Sequence, residues 1–367
     1  MATLARLWYV EKTATRGSAL VARRNIDRGD LILEEPPLLK LPPVPEDMID
    51  HDRFLTANQP HNGSATVEAA ILKMSDSQKA DMMKLQRQPG NDRANHGRNE
   101  RANHGRNDVS IVATNAFTHH IKDENGFDVG MPCVYNNISR TNHSCEPNAV
   151  VSWHPRKQRG TLHAIAQIPA KTEITVDYMA DEKSCLRSSA QRNVDLQLHY
   201  GFTCTCTACH LNGAVNAPND ALRATALQEF NAPIYFVIDT VLGHPLASDE
   251  ATRRTQMGHL DRYIDALNQL GLKDWKVAEA YEARAKLHEQ GLSICKARLR
   301  QATVQGRAPT VNDHALWAAE DWRRAMWTNM RCSGEEHESV DIDSANVVRL
   351  QLVAAKLRSP TIPQGFP

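Results

Sequence analysis

Three cysteines fall within six residues in Cys204-Thr205-Cys206-Thr207-Ala208-Cys209. Thiolates at that spacing suit a metal better than disulfide pairing. Tetrahedral zinc takes four sulfur or nitrogen ligands. The run is otherwise polar and Thr-rich, so three merely buried thiols would make poor core. The next cysteine, Cys295, lies far along the chain, and the fourth ligand stays open on spacing alone. A site closed by four protein ligands has no position for water and is structural rather than catalytic. Upstream stands Asn142-His143-Ser144-Cys145-Glu146-Pro147-Asn148. An Asn-His pair by itself reads as a turn or a satisfied core histidine. Between the two lies Glu173-Ile174-Thr175-Val176-Asp177-Tyr178, which by itself is a strand ending in a tyrosine. His199-Tyr200-Gly201-Phe202 adds aromatics just before the cysteines, where they could equally pack as the cluster's own small core. Cys133 and Cys185 read as ordinary core or surface thiols.

The elements that must hold these residues begin with short apolar runs at Trp8-Tyr9-Val10, Ala19–Ala22 and Leu31-Ile32-Leu33, punctuated by Arg28-Gly29-Asp30 and Pro36-Pro37. They read as strands. Pro42 to Pro60 reads as loop. Ala65 to Gln88 is predicted as one helix with Ile71, Met74, Met82 and Leu85 inward, and Val109 to Ile121 as a second. Between them Arg93–Asn99 repeats as Arg101–Asn107. A polar, glycine-bearing repeat cannot bury apolar surface and is read as a disordered loop. Val134 to Tyr178 returns to strands, with a hairpin joining Val150–Trp153 to Thr161–Ile165. After Asn212-Gly213 the pattern is helical. Leu260, Ile264, Leu267 and Leu270 share one spacing, as do Val277, Ala280, Tyr281 and Leu287, and Val347, Leu350, Ala354 and Leu357. Gly271 and Gly291 are expected at helix ends. Hairpins like tetratricopeptide repeats are the suggested arrangement.

The 367 residues are enough for two domains, and 43 Lys+Arg balance 43 Asp+Glu, giving no bulk bias toward nucleic acid or membrane. No direct nucleic-acid binding and no membrane partner are expected. No apolar run approaches the ~20 residues that cross a bilayer, and the N-terminus lacks signal-peptide features. Eight cysteines are too few for a disulfide scaffold. A reducing compartment, nucleus or cytoplasm, is expected.

In their order, the motifs at 142–148, 173–178 and 200–209 resemble the core of SET-domain protein lysine methyltransferases. The likeness runs over roughly residues 6–210. Since no cysteine precedes Cys133, it points to a MYND-less, fungal-type relative of the SET-and-MYND family. Nothing is therefore borrowed from the MYND module's partner binding. The resemblance implies an α+β fold: a SET β-fold with a pseudoknot and a post-SET zinc knuckle, followed by an all-α C-terminal domain. In these terms 1–60 and 131–182 form the SET core around a helical insert at 61–130, whose repeat loop is 91–108. The post-SET segment is 183–211, the helical domain 212–358 and the tail 359–367.

The resemblance further implies a structural zinc held by Cys145, Cys204, Cys206 and Cys209. It implies S-adenosylmethionine as methyl donor, bound by Arg16, Gly17, Ser18, Ala19, Asn142, His143, Tyr178 and Phe202. Tyr178 would be catalytic, and Tyr135 and Tyr200 would line a lysine channel. Relatives show Gly-x-Gly where this chain has Gly17-Ser18-Ala19, and often a turn glycine where it has Lys171. The partner would be a protein with a target lysine, met by a monomer. A free lysine has a pKa of about 10.4 and must shed its proton before attacking a methyl group. An apolar channel beside a sulfonium disfavours the ammonium form. The rival reading is an inactive SET scaffold that binds proteins through its helical half.

Overall fold

The computed structural model describes residues 6–13, 16–45, 63–85, 106–179, 183–209, 217–231, 250–301, 311–335 and 337–358. The chain divides into two compact units, Met1–Ala217 and Pro218–Pro367. Thr15, most of the Pro42–Pro60 stretch and the repeats up to Gly105 lie outside the described residues, as do the side chains of Cys295 and Leu357.

In the first unit β1 (Trp8–Thr13) and β2 (Gly17–Ala22) form an antiparallel hairpin from Trp8↔Ala22 to Thr13↔Gly17. Gly17 sits at φ 69, a backbone region glycine enters without steric cost. β3 (Leu31–Glu35) joins β10 (Arg159–Ala164) and β9 (Ala149–His154) in the order β3-β10-β9. The expected hairpin is present, with Val151 opposite Leu162. A second sheet is centred on β7 (Asp128–Val134), flanked by β4 (Leu39–Lys40), β5 (Val44–Pro45) and β6 (Ala116–Lys122). The main apolar core joins these layers through Trp8, Leu20, Ile26, Ile32, Ile138, Trp153, Leu162, Ile168 and Ile174.

Two helix expectations need correction here. The stretch 65–88 breaks into α1 (Gly63–Leu72) and α2 (Asp76–Met82). Ser75 caps the second with its hydroxyl, and the Gln78 side chain closes a capping box. That local hydrogen bonding competes with helix continuation. The four residues expected inward are nonetheless buried. The second helix, α3 (Arg106–Asn115), takes in Arg106 and Asn107 of the repeat and stops short of Ile121. Ala116 onward is β6 instead, with each residue paired to β7, because sheet pairing there outweighs local propensity.

Two short strands fix the site. β8 (Asn142–His143) pairs in parallel with β11 (Thr175–Val176), so the two distant motifs lie side by side. β11 follows a turn in which Lys171 takes φ 64. A lysine there costs about 1–2 kcal/mol relative to a right-handed backbone. Its amide donates to the Ala22 carbonyl at 2.7 Å, and Thr172 accepts from the Ala22 amide at 2.9 Å, which holds the turn against β2. α4 (Ser189–Tyr200) is capped by Ser188 with Gln191 and ends at Gly201, φ 73.

The second unit consists of α5 (Ala217–Glu229), α6 (Glu250–Gln269), α7 (Trp275–Gln301), α8 (Val311–Ser333) and α9 (Glu338–Arg358). Its periodic residues, from Leu260 to Ala354, are buried. Gly271 at φ 69 follows the end of α6 as expected. Gly291 does not end a helix: it lies inside α7, where an added Cβ would meet the His314 imidazole at 2.9 Å. Its role is close approach between helices. α7 has 27 residues, whereas a tetratricopeptide repeat fits two helices and their turns into ~34, so that arrangement is set aside. No described helix is long and apolar enough to cross a membrane.

Candidate active site and cysteine cluster

The loop after β8 carries Cys145 into the three cysteines that follow α4. The ligand atoms of Cys145, Cys204, Cys206 and Cys209 all lie within 4.8 Å of one another. Cys145 Sγ is 4.0 Å from Cys204 Sγ and 3.5 Å from Cys209 Sγ. Four sulfurs around zinc at ~2.3 Å would stand ~3.8 Å apart, so this donor set fits the ion. α4 supplies the frame. Asn193 Oδ1 accepts from the Cys204 amide at 2.7 Å, and Leu196 packs with Cys145, Cys204 and Ala208.

Arg192, one turn before Leu196, is fully buried. Its Nη2 donates to Cys209 Sγ at 3.3 Å and to the Ala208 carbonyl at 3.1 Å, and its Nη1 donates to the Arg187 carbonyl. A buried guanidinium beside thiols favours their ionised form, as metal binding requires. Hydrogen bonds from Cys145 and Cys204, with Arg192 nearby, lower the Cys209 pKa from its ordinary range. Sequence reasoning missed Arg192. Only its i, i+4 relation to Leu196 on a capped helix hinted that it faces inward.

Beside the cluster, β8 and β11 bring up the remaining residues. Asn142 Nδ2 donates to Glu173 Oε1 at 2.7 Å. Arg16 Nη1 meets Glu173 Oε2 at 2.9 Å, and its Nη2 donates to the His143 carbonyl at 2.8 Å. The N-terminal hairpin is thereby tied to the β8–β11 crossing, and Ile174 donates to the Leu20 carbonyl. Ser18 is half-buried and Ala19 fully buried, so the methyl that replaces a second glycine packs inward. Asn148 bridges both sides of Glu173–Thr175 by accepting from Thr175 N at 2.8 Å and donating to Glu173 O at 2.9 Å.

Tyr178 follows β11. Its hydroxyl donates to the Thr141 carbonyl at 2.6 Å, and its own carbonyl accepts from Tyr200 Oη at 2.9 Å. Ring centroids place Tyr200 5.0 Å and His143 5.4 Å from Tyr178, with Phe202 6.4 Å away, edge-on. These offset geometries are the favoured ones for aromatic pairs. Burial raises the pKa of both Tyr178 and Tyr200, which keeps both phenols neutral.

His143 is 1% exposed. Its Nδ1 accepts from the Tyr178 amide at 3.0 Å, and its Nε2 lies 3.2 Å from Cys145 Sγ. Burial first of all lowers its pKa.

Tyr135 does not join this group. It is fully buried in the core, its hydroxyl is 2.8 Å from His119 Nε2, and its ring lies where a Cβ on Gly160 would stand 2.5 Å away. Burial pushes His119 down to about 3, so that imidazole is neutral. The expected channel role for Tyr135 is therefore withdrawn: a closed core, with its hydroxyl committed, leaves it no face toward a ligand. The residues brought together are Arg16, Asn142, His143, Tyr178, Tyr200, Phe202 and the four cysteines. Gly17, Ser18 and Ala19 run on from Arg16.

The SET domain family model matches residues 17–179. The histone-lysine N-methyltransferase set5 of Schizosaccharomyces pombe is 39% identical over 71 residues, 19% of this chain and 21% of that protein. The human histone-lysine N-methyltransferase SMYD1 is 29% identical over 110 residues, 27% of this chain and 21% of that protein. The chain thus spans about a fifth of the length of these curated relatives. A solved SET domain of LSMT, bound to lysine and AdoHcy, aligns over 99% of this chain and 94% of its own at 14% identity and a TM-score of 0.28. Residues 17–179 are thus similar to SET domains, and a cysteine cluster and a helical unit follow them in this chain.

Proposed function

With the SET domain at residues 17–179 as its premise, we propose that this protein is an S-adenosylmethionine-dependent methyltransferase acting on a protein lysine ε-amine. The observation that carries the reading is the juxtaposition of Tyr178, Tyr200 and Phe202, with ring centroids 5.0 to 6.4 Å apart, beside the β8–β11 crossing. When bound, S-adenosylmethionine supplies an electrophilic methyl group for in-line transfer. Arg16–Ala19, Asn142 and His143 frame its site, and Phe202 offers an aromatic face to its base.

Tyr178 acts by orientation. Its proton is committed to the Thr141 carbonyl, so its free lone pairs accept an N–H of the incoming amine and aim the nitrogen lone pair. A buried phenol with a raised pKa is no general base at neutral pH. The neutral amine comes instead from desolvation between aromatic walls and from the nearby sulfonium charge. Rate then derives from alignment. The cysteine cluster is structural: with zinc in place, four thiolates pin the segment after α4 against the loop that carries Cys145. The working location is the nucleus or cytoplasm, and histone tails are the first substrates to try.

The test is transfer of a radiolabelled methyl group to histones and to a fractionated protein extract, with isothermal titration of the cofactor alongside. Labelled lysine that disappears in Tyr178→Phe is the expected result. Tight cofactor binding with no protein labelled would overturn the lysine reading. Failure of the folded, zinc-loaded protein to bind cofactor at all would favour the scaffold.

A further inference from the structure

The side chain of His143 is closed off from solvent. It stands between the cysteine cluster and Tyr178. Its Nδ1 lies 3.0 Å from the Tyr178 amide, a fixed donor, so Nδ1 must present a lone pair. The contact of Nδ1 with Asp177 Oδ1 is longer, at 3.5 Å. A neutral imidazole that accepts at Nδ1 carries its proton on Nε2, and Nε2 points at Cys145 Sγ from 3.2 Å. The ring is 1% exposed, and its carbonyl is taken by Arg16 Nη2 at 2.8 Å. Both ring nitrogens and the carbonyl of the residue are therefore used within the protein.

We propose that His143 is a positioning residue whose imidazole couples the charge on the cysteine cluster to the placement of Tyr178. This rests on the methyltransferase reading given above. As a thiolate held by zinc, Cys145 accepts from Nε2–H and fixes the plane of the ring. That plane sets the direction of the Nδ1 lone pair, and so the backbone from which the Tyr178 hydroxyl reaches the Thr141 carbonyl. Outer donors of this kind tune a metal site by about 10–100-fold. The link runs both ways by thermodynamic necessity: whatever orders Tyr178 favours the metal, and the metal favours an ordered Tyr178.

Two substitutions separate the halves of the link. His143→Asn keeps an acceptor near the Nδ1 position and loses the donor to Cys145. His143→Gln reaches the Nε2 position with a donor and loses the acceptor for Tyr178. Zinc affinity is measured by chelator competition, protection of the Tyr178 amide by hydrogen exchange, and kcat by methyl transfer. His143→Asn is expected to lose zinc affinity about 10–100-fold while the Tyr178 amide stays protected. His143→Gln is expected to hold zinc as the wild type does, to lose amide protection, and to lose kcat rather than cofactor affinity. Equal effects of the two changes on zinc affinity, or none from either, would overturn the coupling. Zinc affinity and amide exchange are read without turnover. A protein that shows the split yet never transfers methyl would keep the coupling and lose the enzymatic reading.

Discussion

Two buried polar centres, one in each unit, show how differently a protein interior can be charged. In the helical unit the charges are matched within the protein. Arg284 donates to both oxygens of Asp321 at 2.8 and 3.0 Å and reaches Asp261 at 2.9 Å, while Asn329 donates to Asp343 at 2.8 Å and to Glu282 at 3.2 Å. Each acceptor there has a partner of its own polarity class, and the network ties α7 to α8 and α9. In the first unit four thiols converge, met by nitrogen from Arg192, His143 and the Cys206 amide. Partners supplied from within mark a structural centre. A converging set of one soft donor type, short of internal partners, marks a site that takes its last partner from outside.

The sharpest way to break that contrast is Cys206→Ser. Elemental analysis should fall from about one zinc per chain to none, because a three-thiolate site loses most of the large binding free energy that folds such knuckles. Methyl transfer should go with it. Retention of stoichiometric zinc would show that the cluster is not the ligand set.

Next is Arg192→Met, which keeps the packing stem and deletes the charge. It strands the Arg187 and Ala208 carbonyls and removes the guanidinium that donates to Cys209. Breaking a buried charged group's network costs about 3–5 kcal/mol. Urea unfolding of the zinc-loaded protein should show that loss. The same change at Arg262, exposed beside Glu229, should move the urea midpoint far less, because water screens that pair.

How much of this was legible in the sequence follows from the same contrast. The cysteine cluster was legible because few other roles explain three cysteines in a polar run. Tyr178 and Asn142 were legible only through the ordered motifs, since a strand-end tyrosine and an Asn-His turn carry no chemistry alone. Tyr135 was misplaced because its environment is set by His119 on β6 and Gly160 on β10, which leave no local trace around it. Gly291 was misread for a related reason: a helix-ending glycine and a helix-crossing glycine look alike until His314 is seen against it. Arg192 was nearly invisible, because a buried arginine contradicts ordinary patterning and is explained by the carbonyls and the sulfur it faces.

Tyr178→Phe tests whether a committed hydroxyl is catalytic or merely satisfied. With zinc in excess, its content should stay near one per chain. kcat should fall about 10²-fold, the cost of losing alignment at a reacting centre, and KM for the cofactor should move less. Tyr135→Phe serves as the control in the closed core: it should lower stability by about 1 kcal/mol through the lost bond to His119 and should leave the ratio of kcat to zinc content unchanged.

The last effect belongs to the helical unit and depends on pH. Burial in the first place, then the neighbouring charge of Glu282, lifts Asp343 from 3.8 to about 7, and burial lifts Glu282 as well. A carboxyl whose folded pKa exceeds its unfolded value binds more protons folded than unfolded throughout the interval between the two. Its contribution to stability is therefore full below about pH 4, drains away as pH rises, and is gone above about pH 7, with a slope of at most about 1.4 kcal/mol per pH unit for one proton. Asp343→Asn cannot titrate and should flatten that slope. Plotted as the difference in urea midpoint between variant and wild type, the variant should gain steadily on the wild type from pH 4.5 to pH 7, then run parallel to it. A difference that stays constant with pH would mean that Asn329 satisfies both carboxylates in their ionised form. The helical centre would then be matched more completely than its burial suggests, and the contrast with the cysteine cluster would sharpen.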